Sequence, residues 1–440
     1  MPRLLLVNPW IFDFAAYDFW LKPIGLLALA SALKDADFKI DFLDLTDAAL
    51  ISDGQIKSRL KRMPDGRGNF FSQEIEKPPQ LKSIPRRYKR YGMPPESAEK
   101  LLSNMPEPDA ILLGTTMTYW SRGYIDTVRF LRGIFGDTPV IAGGLYVNIC
   151  PEHAQENLDA DFYCLGDYEK VLPGILQKAL GIEPFFKSPE ELKLALDLYS
   201  HLDYGVILTG RGCPFRCSYC VSWRFHPQLK RKPLELAVDE IKWQAKELGL
   251  KNIAFYDDAL IMDAEHHLIP ILEALVKDGL PLNFHAPNGI HIKPMSKELA
   301  GLMRRSGFET IRFGLETADP NLQKKLGCKA ELDDLDRALS HLESAGYRRS
   351  GIGVYLLAGL PGQSAEQIER DIREVKKLGA RPYLSEYSPI PGTDLWAESL
   401  AASRYPIDQD PLFQNCTLLP CCHPSLTPQR FSQLKALCRE

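Results

Sequence analysis

Over the first 180 residues, short apolar runs alternate with amphipathic stretches. Leu4 to Asn8, Lys39 to Leu43, Ala110 to Gly114, Pro139 to Ala142 and Asp161 to Leu165 read as strands, the second ending at Asp44. Pro23 to Lys34, Tyr124 to Phe135 and Glu169 to Leu180 carry the helical period. This alternation predicts an α/β domain over 1–180, a doubly wound, Rossmann-like parallel sheet that binds ligands at the carboxyl ends of its strands. Residues 181–204 read as a linker. The alternation then resumes, with strands at Val206 to Thr209, Ile253 to Tyr256, Leu282 to His285, Thr310 to Gly314, Gly353 to Leu357 and Arg381 to Tyr387. Helices fall between them, among them Leu234 to Leu248 and Ala365 to Leu378, the latter opened by the capping pair Ser364 and Gln367. Six β/α units predict a partial TIM-type barrel over 205–395 with its site at the strand carboxyl ends. Residues 396–440 form an extension, irregular apart from a helical pattern near Phe431 to Leu437.

One stretch breaks the first pattern. Within an insertion at about 55–105, residues 57–100 hold twelve Lys/Arg and five Asp/Glu, a local charge of +7, with Phe70, Phe71, Tyr88 and Tyr91 among them. Such a segment either grips RNA or another anion, or covers the domain with its aromatics turned inward. The second reading is favoured; a long aperiodic insertion also serves as a lid in many proteins. The chain as a whole has 440 residues and net charge −4, so nothing draws it globally to nucleic acid. No apolar run reaches membrane-spanning length, and the apolar stretch in MPRLLLVNPW is too short for a signal peptide. Ten cysteines in a chain this large do not suggest a disulfide scaffold.

The cysteines matter for another reason. The stretch GRGCPFRCSYC, residues 210–220, sets Cys213, Cys217 and Cys220 at C-x3-C-x2-C spacing. Three thiolates so close can hold three irons of a 4Fe-4S cluster and leave the fourth open to a small molecule, unlike the four-cysteine ligation of electron carriers. Open metal positions are reaction sites. Zinc held with His226 is a weaker reading, because no second ligand couple follows nearby. Buried inert thiols fit poorly with the flanking Gly210, Gly212 and Pro214.

Further chemistry falls at each expected strand end: Asp257 and Asp258 after the second, HAPNGIH (285–291) after the third, Glu316 after the fourth, GLPGQS (359–364) after the fifth and YSPIPGT (387–393) after the sixth. Gly and Pro also mark ordinary turns, but six such ends in register are hard to obtain by chance. An Asp257–Asp258 turn offers acceptors to a ligand ammonium, and Glu316 offers one to ligand hydroxyls. Gly359, Pro361 and Gly362 allow close backbone approach to a ligand ring. Tyr219, between two cysteines, shields the cluster and is placed to touch the same ligand. His285 and His291 read more readily as hydrogen-bonded wall residues than as reactive groups.

Over residues 205 to about 395 the chain resembles radical S-adenosylmethionine (radical SAM) enzymes. The resemblance implies that a 4Fe-4S cluster passes one electron to S-adenosylmethionine, whose cleavage yields a 5′-deoxyadenosyl radical that abstracts hydrogen from substrate. It implies a flavodoxin- or ferredoxin-type electron donor, a small-molecule or peptide substrate, and a reducing, cytoplasmic setting for an oxygen-sensitive cluster; the apolar pattern leaves no membrane partner, and the charge balance weighs against nucleic acid. The elements LLLVNP (4–9), PIGLLALASAL (23–33), ILLGTTMTYW (111–120), VIAGGLY (140–146), CPEHA (150–154) and DFYCLGDYEK (161–170) resemble the cobalamin-binding domain of cobalamin-dependent radical SAM proteins, many of them methyltransferases. That likeness implies cobalamin lying against Asn8, Thr115, Thr116, Met117, Gly143, Gly144 and Gly166, and methyl transfer to carbon; a cobalamin-free oxidoreductase or mutase is the second expectation. The Asp-x-His-x-x-Gly signature for cobalt is absent, and His153, in CPEHA, is the only histidine before residue 200. The alternatives are cobalamin without a protein axial ligand, or a fold that binds something else. A tRNA methylthiotransferase fits less well, since only Cys150 and Cys164 precede residue 205. Cys416, Cys421, Cys422 and Cys438 raise a second-cluster reading, against free thiols; adjacency of Cys421 and Cys422 is awkward for joint ligation.

Overall fold

The computed structural model describes residues 1–440 except 52, 53, 55–59 and 328, so residues 57–59 of the basic insertion lie outside the described residues. Two compact units result: Met1–Asp203 with Gln409–Thr417, and Tyr204–Asp408 with Leu418–Glu440.

The first unit is built on five parallel strands, β1 (Arg3–Asn8), β2 (Lys39–Asp44), β3 (Ala110–Thr115), β4 (Val140–Gly144) and β5 (Phe162–Cys164). Their spatial order is β2-β1-β3-β4-β5. The order reverses between β1 and β3, and doubly wound sheets of this order bind ligands at that switch point. Leu4 to Val7 are buried throughout, as expected for a strand covered on both faces. Helices α1 (Ile24–Asp35), α2 (Ser121–Phe135) and α3 (Tyr168–Leu180) flank the sheet. Gly123 in α2 is needed for close packing, because a Cβ there would lie 2.2 Å from the Trp10 carbonyl oxygen.

The insertion is a cover. Its strand Lys89–Tyr91 pairs antiparallel with Ile11–Asp13 on one side and with Ser72–Glu74 on the other. Phe70, Tyr88 and Tyr91 are buried, and the guanidinium groups of Arg67, Arg86 and Arg90 lie over the rings of Trp20, Phe14 and Trp10. Part of the local charge is thus spent on cation–π contacts within the unit. The segment read as a linker runs against α1: Leu194 to Leu196 are buried, and Ser31 Oγ donates to the Lys193 carbonyl at 2.5 Å. Gln409–Thr417, from the expected extension, also joins this unit. Asn415 Nδ2 donates to Asp13 Oδ1 and Trp120 Nε1 to Asp13 Oδ2, both at 2.8 Å.

The second unit is an open arc of parallel strands, β6 (Gly205–Ile207), β7 (Asn252–Phe255), β8 (Asn283–His285), β9 (Phe308–Thr310), β10 (Arg312–Glu316), β11 (Gly353–Ala358) and β12 (Arg381–Glu386). They form sheets β9-β8-β7-β6 and β10-β11-β12. The single strand expected at Thr310 to Gly314 is broken at Ile311. Its first half pairs with β8 and its second with β11, while an Ile290–Phe313 bridge spans the break. Helices α4 (Leu234–Lys246), α5 (Leu268–Asp278), α6 (Lys297–Ser306), α7 (Leu332–Ser344) and α8 (Ala365–Lys377) lie between the strands in sequence. The capping box of α8 is formed, with Ser364 N donating to Gln367 Oε1 at 2.9 Å and Gln367 N to Ser364 Oγ at 3.3 Å. Phe255, Phe284 and Phe308 centre the core, with ring centroids 5.4–5.5 Å apart. Among the described residues no helix is long and apolar enough to cross a membrane.

Candidate active site

Beyond β6 the chain makes a short hairpin, Gly210–Arg211 against Lys230–Arg231, and the cysteine loop is carried between its strands. Gly212 has φ +95°, and a Cβ there would lie 2.5 Å from the Gln228 carbonyl, so glycine alone allows the loop to close this tightly. Cys213, Cys217 and Cys220 all line one cavity of about 330 Å³, together with Tyr219, Asp258, His291, Glu316 and Lys329.

Lys329 was not singled out from sequence. It lies in the loop before α7, its Nζ 2.9 Å from the Tyr219 hydroxyl and 3.4 Å from Glu316 Oε1. Burial alone would lower its pKa, but Glu316 and the three thiols together raise it, so the ammonium stays charged. Burial pushes the Cys213 and Cys217 thiols up while Lys329 pulls them down. Glu316 ends β10 with φ +70°, a left-handed conformation that costs a non-glycine residue about 1–2 kcal/mol. Such a cost is most often retained where a side chain must point into a site.

Adjacent Asp257 and Asp258 part company. Asp258 lines the cavity; burial raises its pKa, against a hydrogen bond from Ser222 and the charge of Lys329. Asp257 is turned away, contrary to its expected place near a substrate ammonium. Thr209 donates to it from the backbone at 3.0 Å and from the hydroxyl at 2.7 Å, and Arg231 Nη1 is 3.6 Å away. Its role here is to hold the base of the cysteine loop. Burial lifts its pKa to about 6.

Gly359, Pro361 and Gly362 are also absent from the cavity wall. A Cβ at Gly359 would lie 3.0 Å from Leu419 Cδ2, so the turn accommodates the C-terminal extension. His285 is a wall residue, its two ring nitrogens 3.0 Å from Thr310 Oγ1 and 3.2 Å from Asn252 Oδ1. Phe215 and Asn288, from the two quoted stretches, also line the cavity, as do Tyr355 and Ser385, which were not anticipated.

The donor set suits a cluster better than a single ion. Among the described residues no three His, Cys, Asp or Glu side chains converge on one metal position, and His226 does not line the cavity. A cluster needs no such convergence, because each thiolate binds a different iron. Lys329 supplies positive charge beside the thiols. The C-terminal cysteines are divided between the two units. Cys416 belongs to the first unit, 3.7 Å from the Tyr119 hydroxyl, whereas Cys421, Cys422 and Cys438 belong to the second.

In the first unit, the residues expected near cobalamin lie along the carboxyl edge of the sheet. Several are occupied by the protein itself. Asn8 Nδ2 donates to Asp44 Oδ1 at 2.7 Å, and Thr115 Oγ1 to the Gly143 carbonyl at 2.7 Å. A Cβ on Gly144 would sit 2.2 Å from the Thr115 carbonyl, so close strand packing already demands that glycine. The Tyr124 hydroxyl accepts from Thr116 N and donates to the Met117 carbonyl, fixing the turn after β3. Beyond β3, β4 and β5, Met117, Leu145 and Leu165 are each more than 40% exposed. Exposed Gly144 and Gly166 adjoin the last two. The edge therefore offers an apolar, glycine-lined shelf. His153 Nδ1 lies 2.7 Å from the buried Tyr146 hydroxyl, so one face of this histidine is taken.

Residues 207–375 match the Radical SAM superfamily, and the chain carries a radical SAM domain. It is 27% identical over 212 residues to an uncharacterized methyltransferase of Pyrococcus horikoshii, covering 47% of this chain and 45% of the relative. With the bacteriochlorophyllide d C-12(1)-methyltransferase of Chlorobaculum tepidum it shares 24% identity over 278 residues, 59% of each chain. The chain spans about half the length of the curated relatives it matches. Its fold is that of the radical S-adenosylmethionine methyltransferase TsrM from Kitasatospora setae, solved with tryptophan and a SAM analogue: TM-score 0.69, 17% identity, 99% of this chain and 89% of that one. The cobalamin-dependent radical enzyme OxsB matches with TM-score 0.55 and 15% identity, over 91% of this chain and 55% of that one.

Proposed function

We propose that this chain is a radical SAM enzyme that cleaves S-adenosylmethionine at a 4Fe-4S cluster and, with cobalamin, transfers a methyl group to a carbon of a small-molecule or peptide substrate. The observation that carries the reading is the meeting of three loop cysteines with Tyr219, Lys329, Glu316 and Asp258 on one cavity. Bound there, the cluster supplies one electron for cleaving S-adenosylmethionine, and cobalamin supplies a transferable methyl group. Cys213, Cys217 and Cys220 hold the cluster. The Lys329 ammonium pairs with the carboxylate of S-adenosylmethionine, a charge-assisted contact in a site shielded from water. Asp258 accepts from its amino group, and Glu316 from its ribose hydroxyls. Tyr219 closes the cavity beside the cysteines. The apolar shelf of Met117, Leu145 and Leu165 supports cobalamin, a flat macrocycle, on the first unit. A flavodoxin- or ferredoxin-type protein supplies electrons, in a reducing, cytoplasmic compartment.

Anaerobic reconstitution with iron, sulfide and hydroxocobalamin, followed by gel filtration and visible spectroscopy, tests the reading. Retention of a cluster and about one cobalamin per chain, with 5′-deoxyadenosine or S-adenosylhomocysteine formed on reduction, supports it. A cluster without cobalamin restricts the activity to hydrogen abstraction by the adenosyl radical. A cluster that never cleaves S-adenosylmethionine leaves an electron carrier and overturns the enzyme reading.

A further inference from the structure

We propose that His291 donates a hydrogen bond from Nε2 to the sulfur of Cys213 and so raises the reduction potential of the cluster that this cysteine holds. The proposal rests on the reading of the cavity as a cluster site. Nε2 lies 3.7 Å from Cys213 Sγ. The imidazole is buried and stacks on Phe215, with ring centroids 4.7 Å apart and planes 17° from parallel. Phe215 and Cys213 belong to one loop, so the segment that carries the sulfur also sets the plane of the ring facing it.

The other ring nitrogen fixes where the proton sits. Nδ1 is buried with no hydrogen-bond partner among the described residues. A neutral imidazole has one N–H and one bare nitrogen. A proton on Nδ1 would bury a donor without an acceptor and set the Nε2 lone pair against those of sulfur. A proton on Nε2 gives the donor its acceptor and leaves only a bare nitrogen unpaired, the less costly arrangement. A second proton would add an unpartnered charged donor in a buried place, which is costlier still. His285 shows the contrast, since both of its nitrogens have partners in the barrel wall.

Hydrogen bonds to cluster sulfurs are among the groups that set cluster potentials. An N–H directed at the Cys213 sulfur stabilises the additional negative charge of the reduced state. The electron comes from the external reductant, no covalent bond forms or breaks, and the proton stays on His291. His291 is thus a positioning residue that acts through Cys213.

The test uses the full chain, reconstituted anaerobically with iron and sulfide and titrated by EPR against redox mediators without S-adenosylmethionine. His291→Phe keeps an aromatic ring against Phe215 and removes the donor; His291→Gln restores a donor. At a fixed ambient potential, the reduced-to-oxidised ratio in H291F is expected to fall about tenfold, which is 59 mV for one electron. H291Q is expected to recover at least half of that shift on a logarithmic scale, with iron content equal in all three proteins. An unchanged H291F potential, or an equal loss in H291Q, overturns the proposal. Should H291F load no iron, wild-type protein carrying ¹⁵N-histidine decides: a ¹⁵N hyperfine coupling to the reduced cluster is expected, and its absence overturns the proposal. Failure of wild type to load any cluster sinks the functional reading, whereas a loaded cluster of unchanged potential sinks only the role of His291.

Discussion

Lys329 donates to the hydroxyl of Tyr219 at 2.9 Å, and Tyr219 stands between two of the loop cysteines, so one hydrogen bond ties a distant loop to the cysteine motif. Lys329→Met removes both the bond and the buried charge. Affinity for S-adenosylmethionine, measured by anaerobic calorimetry on the iron-loaded protein, is expected to fall at least tenfold, about 1.4 kcal/mol. Iron content is expected to hold. Unchanged affinity would remove Lys329 from the binding site.

Cys217→Ala is expected to abolish the visible absorption of the cluster and all reductive cleavage of S-adenosylmethionine. A triple substitution of Cys421, Cys422 and Cys438 is expected to leave iron and sulfide per chain unaltered, because Cys421 and Cys422 are adjacent and each thiol faces a protein carbonyl, Ser399 at 3.5 Å and Leu426 at 3.9 Å. A drop in iron for the triple variant would reinstate an auxiliary cluster.

Asp257 acts one step removed from the cavity. Asp257→Ala leaves the Thr209 N–H and the Arg231 guanidinium without their carboxylate, a loss of about 3–5 kcal/mol when one partner of a buried pair is removed. Cluster retention through gel filtration is expected to drop severalfold. In the protein that remains loaded, affinity for S-adenosylmethionine is expected to match wild type. A selective loss of affinity with normal retention would return Asp257 to the substrate.

Asp371, on α8, accepts from the Thr317 hydroxyl at 2.7 Å and from Ala318 N at 3.0 Å, fixing the turn just beyond Glu316. Burial raises its carboxyl to about 6 from an ordinary 3.8. The native state then binds more protons than the unfolded chain between these values, so this group's contribution is fully present below pH 3.8 and is lost as pH rises through 6. The stability of wild type relative to Asp371→Asn is expected to fall by roughly 2 kcal/mol between pH 4 and 7. Urea unfolding of both proteins across that range measures it, and a constant difference would contradict the assignment.

Leu165→Asp places a charge on the apolar shelf at the end of β5 without touching the core. Retained cobalamin is expected to fall at least fivefold, while the iron-sulfur absorption stays at its wild-type level. Equal cobalamin in both proteins would move the ligand away from this edge.

Alternation of apolar runs located the strands of the parallel sheets to within a few residues, because burial on both faces leaves continuous runs that are hard to mistake. The break at Ile311 was illegible, since two half-strands pairing with different neighbours keep the same apolar character as one. The cysteine motif was legible because its spacing is local. Lys329 was not: it follows Lys324 and Lys325, which are exposed, and only long-range folding separates the one that turns inward. Asp257 and Asp258 were read as one turn, yet adjacent residues at a strand end face opposite ways. Gly359 and Gly362 supplied backbone freedom as expected, but Leu419, some sixty residues away, packs against Gly359 where a ligand was expected.

Because Gln409–Thr417 completes the first unit, that unit is unfinished while a ribosome is still translating the barrel. Until Asn415 emerges, the buried Asp13 carboxylate lacks one of its two side-chain donors, although Trp120 is already in place. A fragment cut at residue 203 would carry the same gap permanently. The two units share one timetable of synthesis, and the first to be made is among the last to be finished.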